Sequence, residues 1–263
     1  MSFWLDSATV VSSRPYTLPM TELSVAGTES ILHFLHQVQL QRQLRKRTPG
    51  LEAAVGWIKA YQQRRFAHTY ADLLNSSRYG GAARFFLDEL YGPKDFSERD
   101  AQFARVVPAL VKLFPHDIVA TVHTLAQLHA LSESLDSAMG AALSADERSA
   151  TSYVKAWQDV GRPDDREHQI SLTLVLGEAL DRLTGKPLLR HSLRMMRGPA
   201  RAAGLQQLHT VLECGFDTFH AMRGAQDFLR TVATRERALA AALFGAVEVD
   251  LAAALPQGAD SSA

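Results

Sequence analysis

One predicted helix carries a stripe of residue types that bind metal ions or transfer protons. His129, Glu133 and Asp136 follow an i, i+4, i+7 spacing, which places all three on one face of a helix. An imidazole beside two carboxylates can hold a metal ion or act in general acid–base chemistry. The same stripe is also typical of a helix that emerges from the core and turns this face to solvent. Both interpretations stay open on the sequence.

Two residues of a later helix are candidates for the same site. Gln169 falls within the apolar arc of a predicted helix over residues 165–184, so its amide is expected to be buried and hydrogen-bonded. Arg166 lies three positions earlier on that helix. We predict a ligand-binding site if Arg166 and Gln169 converge on one cavity with the histidine and the two carboxylates described above.

A second group of possible metal ligands lies along the edge of the apolar face of a predicted helix over residues 200–221. The group consists of His209, Glu213, Asp217 and His220. Asp217 and His220 are similar to the acid-x-x-His element of ferritin-like di-iron bundles, but those bundles use Glu-x-x-His elements and the sequence contains none. The open interpretations are an iron site, an axial haem ligand at His209 and a metal-free helix edge.

Other catalytic signals are absent from the sequence. The single cysteine, Cys214, precludes an intrachain disulfide or a thiolate cluster, and no basic neighbour in sequence activates it. No Gly-x-Ser-x-Gly, Walker or dinucleotide-binding glycine motif is present.

The densest basic run is Arg42–Arg47, at the predicted end of a helix, where cations interact favourably with the helix dipole. Nucleic acid or acidic lipid is the alternative partner of this run. The whole chain balances 28 Lys and Arg against 28 Asp and Glu, which disfavours nucleic acid.

The elements that must position these residues are all helical. Strand-like alternation is essentially absent, and prolines punctuate amphipathic helical runs. Short connections predict an all-α multi-helix bundle of about ten helices. The expected ranges are 21–47, 51–77, 81–91, 97–114, 116–142, 146–159, 165–184, 187–197, 200–221 and 223–245. The 165–184 helix is apolar around most of its circumference, so we expect it at the centre of the bundle.

The chain is predicted to have four parts. These are a mobile N-terminal arm (1–20), an N-terminal helical pair (21–79), a helical core domain (80–245) and a C-terminal tail (246–263). The apolar face of the first helix packs either on its own core or on a second subunit. The second case predicts a homo-oligomer through residues 21–77.

The sequence also allows a prediction of the cellular compartment. The first residues show no basic region of the kind that begins a secretory signal, and no apolar stretch is long enough to span a membrane. We therefore expect a cytoplasmic protein.

One segment combines a helix end with a helix start. Residues 85–100 read FFLDELYGPKDFSERD, in which Gly92-Pro93 is expected to end one helix. Ser97 is expected to begin the next helix, with Asp100 in the position of an approximate capping box.

The segment resembles the pattern FFL-x-x-LYG-x-x-DF-x-x-RD of an uncharacterised all-helical bacterial family. Shorter stretches at 166–170, 196–205 and 215–219 are similar to the same family, so the resemblance covers roughly residues 80–245. It implies an all-α domain and provides no catalytic residues that can be transferred to this chain.

Taken together, these features predict a non-catalytic helical module that binds a small molecule or a protein. We expect it to need no cofactor. The alternative is a metal- or haem-dependent helical oxidoreductase or sensor.

Overall fold

Twelve α-helices and one π-helical segment make up most of the described chain. A computed structural model describes residues 20–90, 96–143, 148–245 and 255–256. The elements are α1 (Met20–Arg47), α2 (Leu51–Thr69), α3 (Ala71–Leu74), α4 (Gly80–Phe85), the π-helical segment (Phe86–Leu90), α5 (Ser97–Leu113), α6 (His116–Ala142), α7 (Ala150–Val160), α8 (Pro163–Thr184), α9 (Pro187–Met195), α10 (Arg197–Ala202), α11 (Gln206–Met222) and α12 (Gln226–Gly245). The predicted all-α multi-helix bundle is confirmed.

Several predictions fall on residues outside the described ranges. These are the N-terminal arm up to residue 19, the Gly92-Pro93 helix stop, and residues 246–254 and 257–263 of the tail. Within the tail, the backbone carbonyl of Pro256 accepts a hydrogen bond from the Tyr61 hydroxyl at 3.0 Å.

Most predicted helix boundaries agree with the structure to within a few residues, and the main differences have local causes. The predicted 51–77 helix is divided at Tyr70, whose backbone leaves the helical region (φ −115°, ψ 25°) while its ring is fully buried. The predicted 200–221 helix is divided at Gly204, whose φ of 68° ends α10. The 81–91 helix changes to π-helical geometry at Phe86.

The centre of the bundle is α6, and the prediction that the 165–184 helix is central was wrong. Helix α6 packs against α1, α2, α7 and α8. Helix α8 keeps one side towards solvent, where Val175 is 50% exposed. Small residues on α6, among them Ala126, Ala130 and Gly140, are buried and let the neighbouring helices approach closely.

The buried side chains form three clusters. One joins α2, α6, α7 and α12 around Tyr61, Tyr153 and Leu243. A second joins α2, α4, α11 and α12 around Phe219 and Phe228. The third lies at the contact of α1 with α5 and α6. Within the described part of the chain, no helix is long and apolar enough to cross a bilayer.

The apolar face of α1 is covered by its own chain. Ile31 and Leu35 are buried against Val107 of α5 and Ala126 of α6. This is the first of the two packing arrangements left open by the sequence. A contact between subunits through residues 21–77 would therefore have to use another surface of these helices.

The start of α5 differs from its prediction in one respect. The helix begins at Ser97 as expected, but the N-cap residue is Phe96 and it makes no side-chain cap hydrogen bond. The predicted capping box is wrong because the Asp100 carboxylate faces α1 and α6 instead, where it accepts hydrogen bonds from Arg42 and His129.

The contact between α2 and α6 depends on the absence of a side chain at Gly140. A Cβ at this position would lie 2.5 Å from Cγ2 and 3.1 Å from the backbone nitrogen of Val55. We expect Gly140→Ala to destabilise the fold by about 1–3 kcal/mol through overpacking. The gain of about 1 kcal/mol in helix propensity would be outweighed.

Gly56 is the matched control, because it lies on α2 and a Cβ there would meet nothing within 4 Å. Gly56→Ala is expected to stabilise the protein by about 0.5–1 kcal/mol. Urea denaturation of both variants tests the pair. Equal effects of the two substitutions would show that the helices can separate at Gly140 without cost.

Candidate functional site

A small cavity lies between the first two hydrophobic clusters. Its wall is formed by α2, the π-helical segment, α7, α8 and α12, and its volume is about 60 Å³. Its lining includes apolar, mostly aromatic side chains, among them Phe66, Phe86, Phe228 and Leu229. Polar side chains of α2 and α8 and the aromatic Tyr153 and Trp157 of α7 also line it. A cavity of this size holds a group of a few heavy atoms, whereas typical cofactor sites have several hundred Å³.

A tight connection between α7 and α8 positions part of this lining. Gly161 and Arg162 are the two residues between these helices, with φ values of 63° and 61°. Pro163 then takes the first position of α8, where its fixed φ suits a helix start. The short connection brings Trp157, near the end of α7, against Arg166, in the first turns of α8.

Arg166 is the most deeply buried arginine of the described residues, at 4% exposure. The centre of its guanidinium lies 3.9 Å from the centroid of the Trp157 ring, a cation–π contact. Its Nη1 donates to Oε1 of Gln169 at 3.1 Å. Burial lowers the pKa of Arg166. Arginine nevertheless stays protonated in proteins, so this cavity contains a buried positive charge.

Four hydrogen-bond donors on the cavity wall have no partner among the described residues. They are Nε of Arg65, the hydroxyl of Tyr153, Nε1 of Trp157 and Nη2 of Arg166. In the described part of the chain, the other buried side-chain atoms without a partner belong to Arg64, which does not line the cavity. Buried donors without a partner are rare in folded proteins. Because four of them belong to residues that line one cavity, we take the cavity as the candidate site.

The second arginine of the cavity is neutralised. Nη1 of Arg65 lies 2.7 Å from Oε1 of Glu236, and the Tyr70 hydroxyl donates to the same oxygen at 2.8 Å. Burial lowers the pKa of Arg65, but Glu236 together with Tyr153 and Tyr70 raises it above its ordinary value. Arg65 therefore carries no uncompensated charge, and its Nε has no partner among the described residues.

The structure brings two of the first five candidate residues to this cavity. Arg166 and Gln169 line it, and Nε2 of Gln169 donates to Ser132 Oγ at 2.8 Å, so the amide has partners. Asp136 lies one layer behind, where its Oδ1 accepts from Nε2 of the lining residue Gln62 at 3.2 Å. Burial raises the pKa of Asp136, and Lys59 opposes that shift.

Glu133 and His129 lie farther along α6, in a buried polar layer. Glu133 is 3% exposed and forms ion pairs with Arg45 of α1 and Lys59 of α2. His129 Nε2 lies 2.9 Å from Oδ2 of Asp100. The interpretation of this stripe as a solvent-exposed face is wrong, because α1 and α2 cover it and supply the opposite charges.

The same contacts change the interpretation of the basic run. Arg45 is buried and its Nη2 also donates to the Glu133 carbonyl at 2.6 Å. Arg42 donates to Asp100 at 2.6 Å. Residues 42–47 are therefore not a continuous exposed basic patch, because two of the cations are used within the fold.

Glu133 also makes the stability of the fold sensitive to acid. Burial alone would raise the pKa of its carboxyl, but Lys59 and Arg45 lower it from 4.5 to about 2. A carboxyl with a lowered pKa in the folded state contributes stability that is fully present above its unfolded pKa. This contribution is lost as the pH falls towards the folded pKa.

We therefore expect wild type to lose more stability than Glu133→Gln on acidification from about pH 5 to about pH 2.5. The amide of the variant does not titrate, so the difference between the two proteins isolates this carboxyl. Urea denaturation across this range measures it. Parallel stability curves would contradict the assignment.

The second group of possible ligands is brought together only in part. Nδ1 of His209 lies 3.5 Å from Oε2 of Glu213, and the remaining contacts of the group are to separate partners. His209 Nε2 contacts the Leu193 carbonyl at 2.9 Å, and His220 Nδ1 contacts the Thr184 carbonyl at 3.0 Å. The carboxylates pair with arginines, Glu213 with Arg197 and Asp217 with Arg190. In the described ranges, no group of three or more His, Cys, Asp or Glu side chains is arranged to hold a metal ion.

Three residues that line the cavity were missed from the sequence, namely Tyr153, Trp157 and Arg65. Tyr153 and Trp157 are an i, i+4 aromatic pair on the strongly amphipathic α7, which is the usual pattern of a core-facing helix. Arg65 could have been predicted from helical spacing. It follows Tyr61 and Gln62 at i+4 and i+3, so it lies on the same inward face of α2.

These observations define an all-α protein with a small buried cavity rich in unpartnered donors. The chain belongs to the family described as a domain of unknown function (DUF8198), whose family model matches residues 41–249. The matched range contains every helix that lines the cavity. The resemblance to an uncharacterised helical family is thus confirmed. No curated protein matches the chain significantly. No solved structure does so either.

Proposed function

We propose that this protein is a non-catalytic module that binds a small molecule in the cavity between α2, α7, α8 and α12. The observation that supports the proposal is a cavity whose lining includes four residues with a buried donor that has no partner among the described residues. Each such group costs about 1–3 kcal/mol when it is left without a hydrogen bond. A ligand with hydrogen-bond acceptors that reached these donors would recover part of this energy.

Ordered water is the competing occupant of such a cavity. The lining includes polar groups, and the cavity is large enough to hold water. Water and a small ligand are distinguished by whether a small molecule binds there with measurable affinity.

The test uses the full chain and a mixed panel of neutral, cationic and anionic molecules of up to about six heavy atoms. Ligand-observed NMR detects binding to wild type and to two variants of α12. Ala240→Leu fills space at a residue that lines the cavity. Ala241→Leu makes the same change at the next, exposed position.

We expect at least one class of molecule to bind wild type and Ala241→Leu and to lose binding to Ala240→Leu. Two results would overturn the proposal. One is a panel in which nothing binds wild type, which leaves water as the occupant. The other is binding that Ala240→Leu does not change, which places the ligand elsewhere.

A further inference from the structure

We propose that the group recognised in this cavity is the carboxylate of a short aliphatic acid, paired with Arg166. This inference rests on the proposed function, because it assigns a chemical class to the ligand of the same cavity.

The three buried arginines of the described residues provide an internal comparison. Arg45 and Arg65 are each 7% exposed, and each pairs with a carboxylate of the chain, Glu133 and Glu236 respectively. Arg166 is more buried than either, yet among the described residues no carboxylate lies within 4.0 Å of its guanidinium. A buried charge is costly unless it is paired.

The remaining charges near the cavity balance each other. Glu236 neutralises Arg65. In the adjacent polar layer, Glu133 and Asp136 face Arg45 and Lys59, with Lys59 Nζ 3.9 Å from Oδ2 of Asp136. Arg166 lines the cavity and has no carboxylate within this balance, so a single negative charge on the ligand matches it.

The charge favours a carboxylate over a phosphate. A carboxylate carries one negative charge, which matches the single positive charge of Arg166, and it accepts hydrogen bonds through two oxygens. A phosphate carries up to two negative charges, and the Glu236 carboxylate on the same wall would repel the second. Arginine guanidinium also matches the planar geometry of a carboxylate.

The apolar wall determines the rest of the ligand. Phe86, Phe228, Leu229 and Val232 offer no hydrogen-bonding side-chain group, so they suit a hydrocarbon chain. The volume of about 60 Å³ admits a carboxylate with a chain of only a few carbon atoms. Propionate is therefore a suitable probe, and propionamide is its neutral counterpart of nearly the same shape.

The experiment titrates the full chain with sodium propionate, propionamide or sodium phosphate at constant ionic strength, and follows binding by ligand-observed NMR and calorimetry. We expect propionate to bind and propionamide to bind about 10–100-fold more weakly, as for loss of a charged hydrogen-bonded pair. Arg166→Met should lose propionate binding by a similar factor. Arg182→Met, an exposed position on the same helix, should retain it.

Thermal unfolding separates loss of binding from loss of the fold. Arg166→Met removes a charge that has no carboxylate partner, so the variant should fold without propionate. Propionate should raise the unfolding temperature of wild type and of Arg182→Met, but not that of Arg166→Met. If Arg166→Met fails to fold, the comparison of propionate with propionamide on wild type still decides the proposal.

Each unfavourable result has its own meaning. Equal binding of propionamide would overturn the anionic ligand while leaving a small-molecule site intact. Tighter binding of phosphate would overturn the carboxylate. Binding of propionate that Arg166→Met leaves unchanged would remove Arg166 from the site. If neither these probes nor the mixed panel bind, the proposed function fails as well.

Discussion

Replacing Glu133 with alanine is expected to lower the free energy of unfolding by about 3–5 kcal/mol. Glu133 is 3% exposed and lies between two cations, Arg45 and Lys59, at the junction of α1, α2 and α6. Its removal leaves both cations facing each other with little access to water. The loss of a buried anion therefore costs more than the ion pairs themselves contribute.

The control is Glu167→Ala. Glu167 pairs with Arg237, but the two side chains are 51% and 47% exposed, so the pair is screened by solvent. Its removal should change the free energy of unfolding by at most about 1 kcal/mol. Urea denaturation measures both variants. Equal losses in the free energy of unfolding would show that the buried ion pairs of Glu133 contribute no more to stability than an exposed pair.

Replacing Phe219 with alanine is expected to cost about 3–5 kcal/mol of stability. Phe219 is fully buried in the second cluster, with its ring centroid 5.9 Å from that of Phe86. Truncation removes the whole ring from contact and leaves a void that rigid neighbouring helices cannot close. Because Phe86 also lines the cavity of the proposed site, the variant should weaken binding of the proposed ligand in addition.

Leu188→Ala is the matched control for this truncation. Leu188 is 81% exposed on α9, so its removal should change stability by less than about 0.5 kcal/mol. Guanidinium denaturation followed by circular dichroism gives both values. A loss below about 1.5 kcal/mol for Phe219→Ala would show that the cluster repacks around the missing ring.

The helices could be predicted from local chemistry because their limits depend on local residues. Pro163 and Pro187 each occupy the first position of a helix, as proline's fixed φ favours. The interruption at Tyr70 could not be predicted in this way. The buried Tyr70 ring at this point donates through its hydroxyl to Glu236, a residue 166 positions away in sequence, and local spacing does not show such a contact.

The position of polar residues within the bundle was harder to predict. The stripe of α6 was found from helical spacing, but spacing does not show which helices will cover a face. Arg45 and Lys59 come from two other helices, and their pairing with Glu133 is a property of the packed bundle. The central position of α6 is also a property of the packed bundle. Small residues on this helix permit close contact with neighbouring helices on several sides.

Part of the candidate site could be predicted from the sequence, because two of its residues are polar positions on a helix that is apolar around most of its circumference. Arg166 and Gln169 interrupt the apolar surface of α8. Tyr153 and Trp157 look like ordinary core residues in the sequence. Their unsatisfied donors exist only because the facing helices bring no acceptor, which is a property of three-dimensional packing.

The polar layer of α1, α2 and α6 has a consequence for how this family varies. Arg45, Lys59, Glu133 and Asp136 balance their charges only as a set, so loss of one leaves another buried and uncompensated. Substitutions at these positions should therefore be inherited together across relatives, as a correlated group. Arg166 lies outside that balance and should instead vary together with Tyr153 and Trp157. An alignment of relatives would then separate two independent groups of positions, one that maintains the fold and one that follows the ligand.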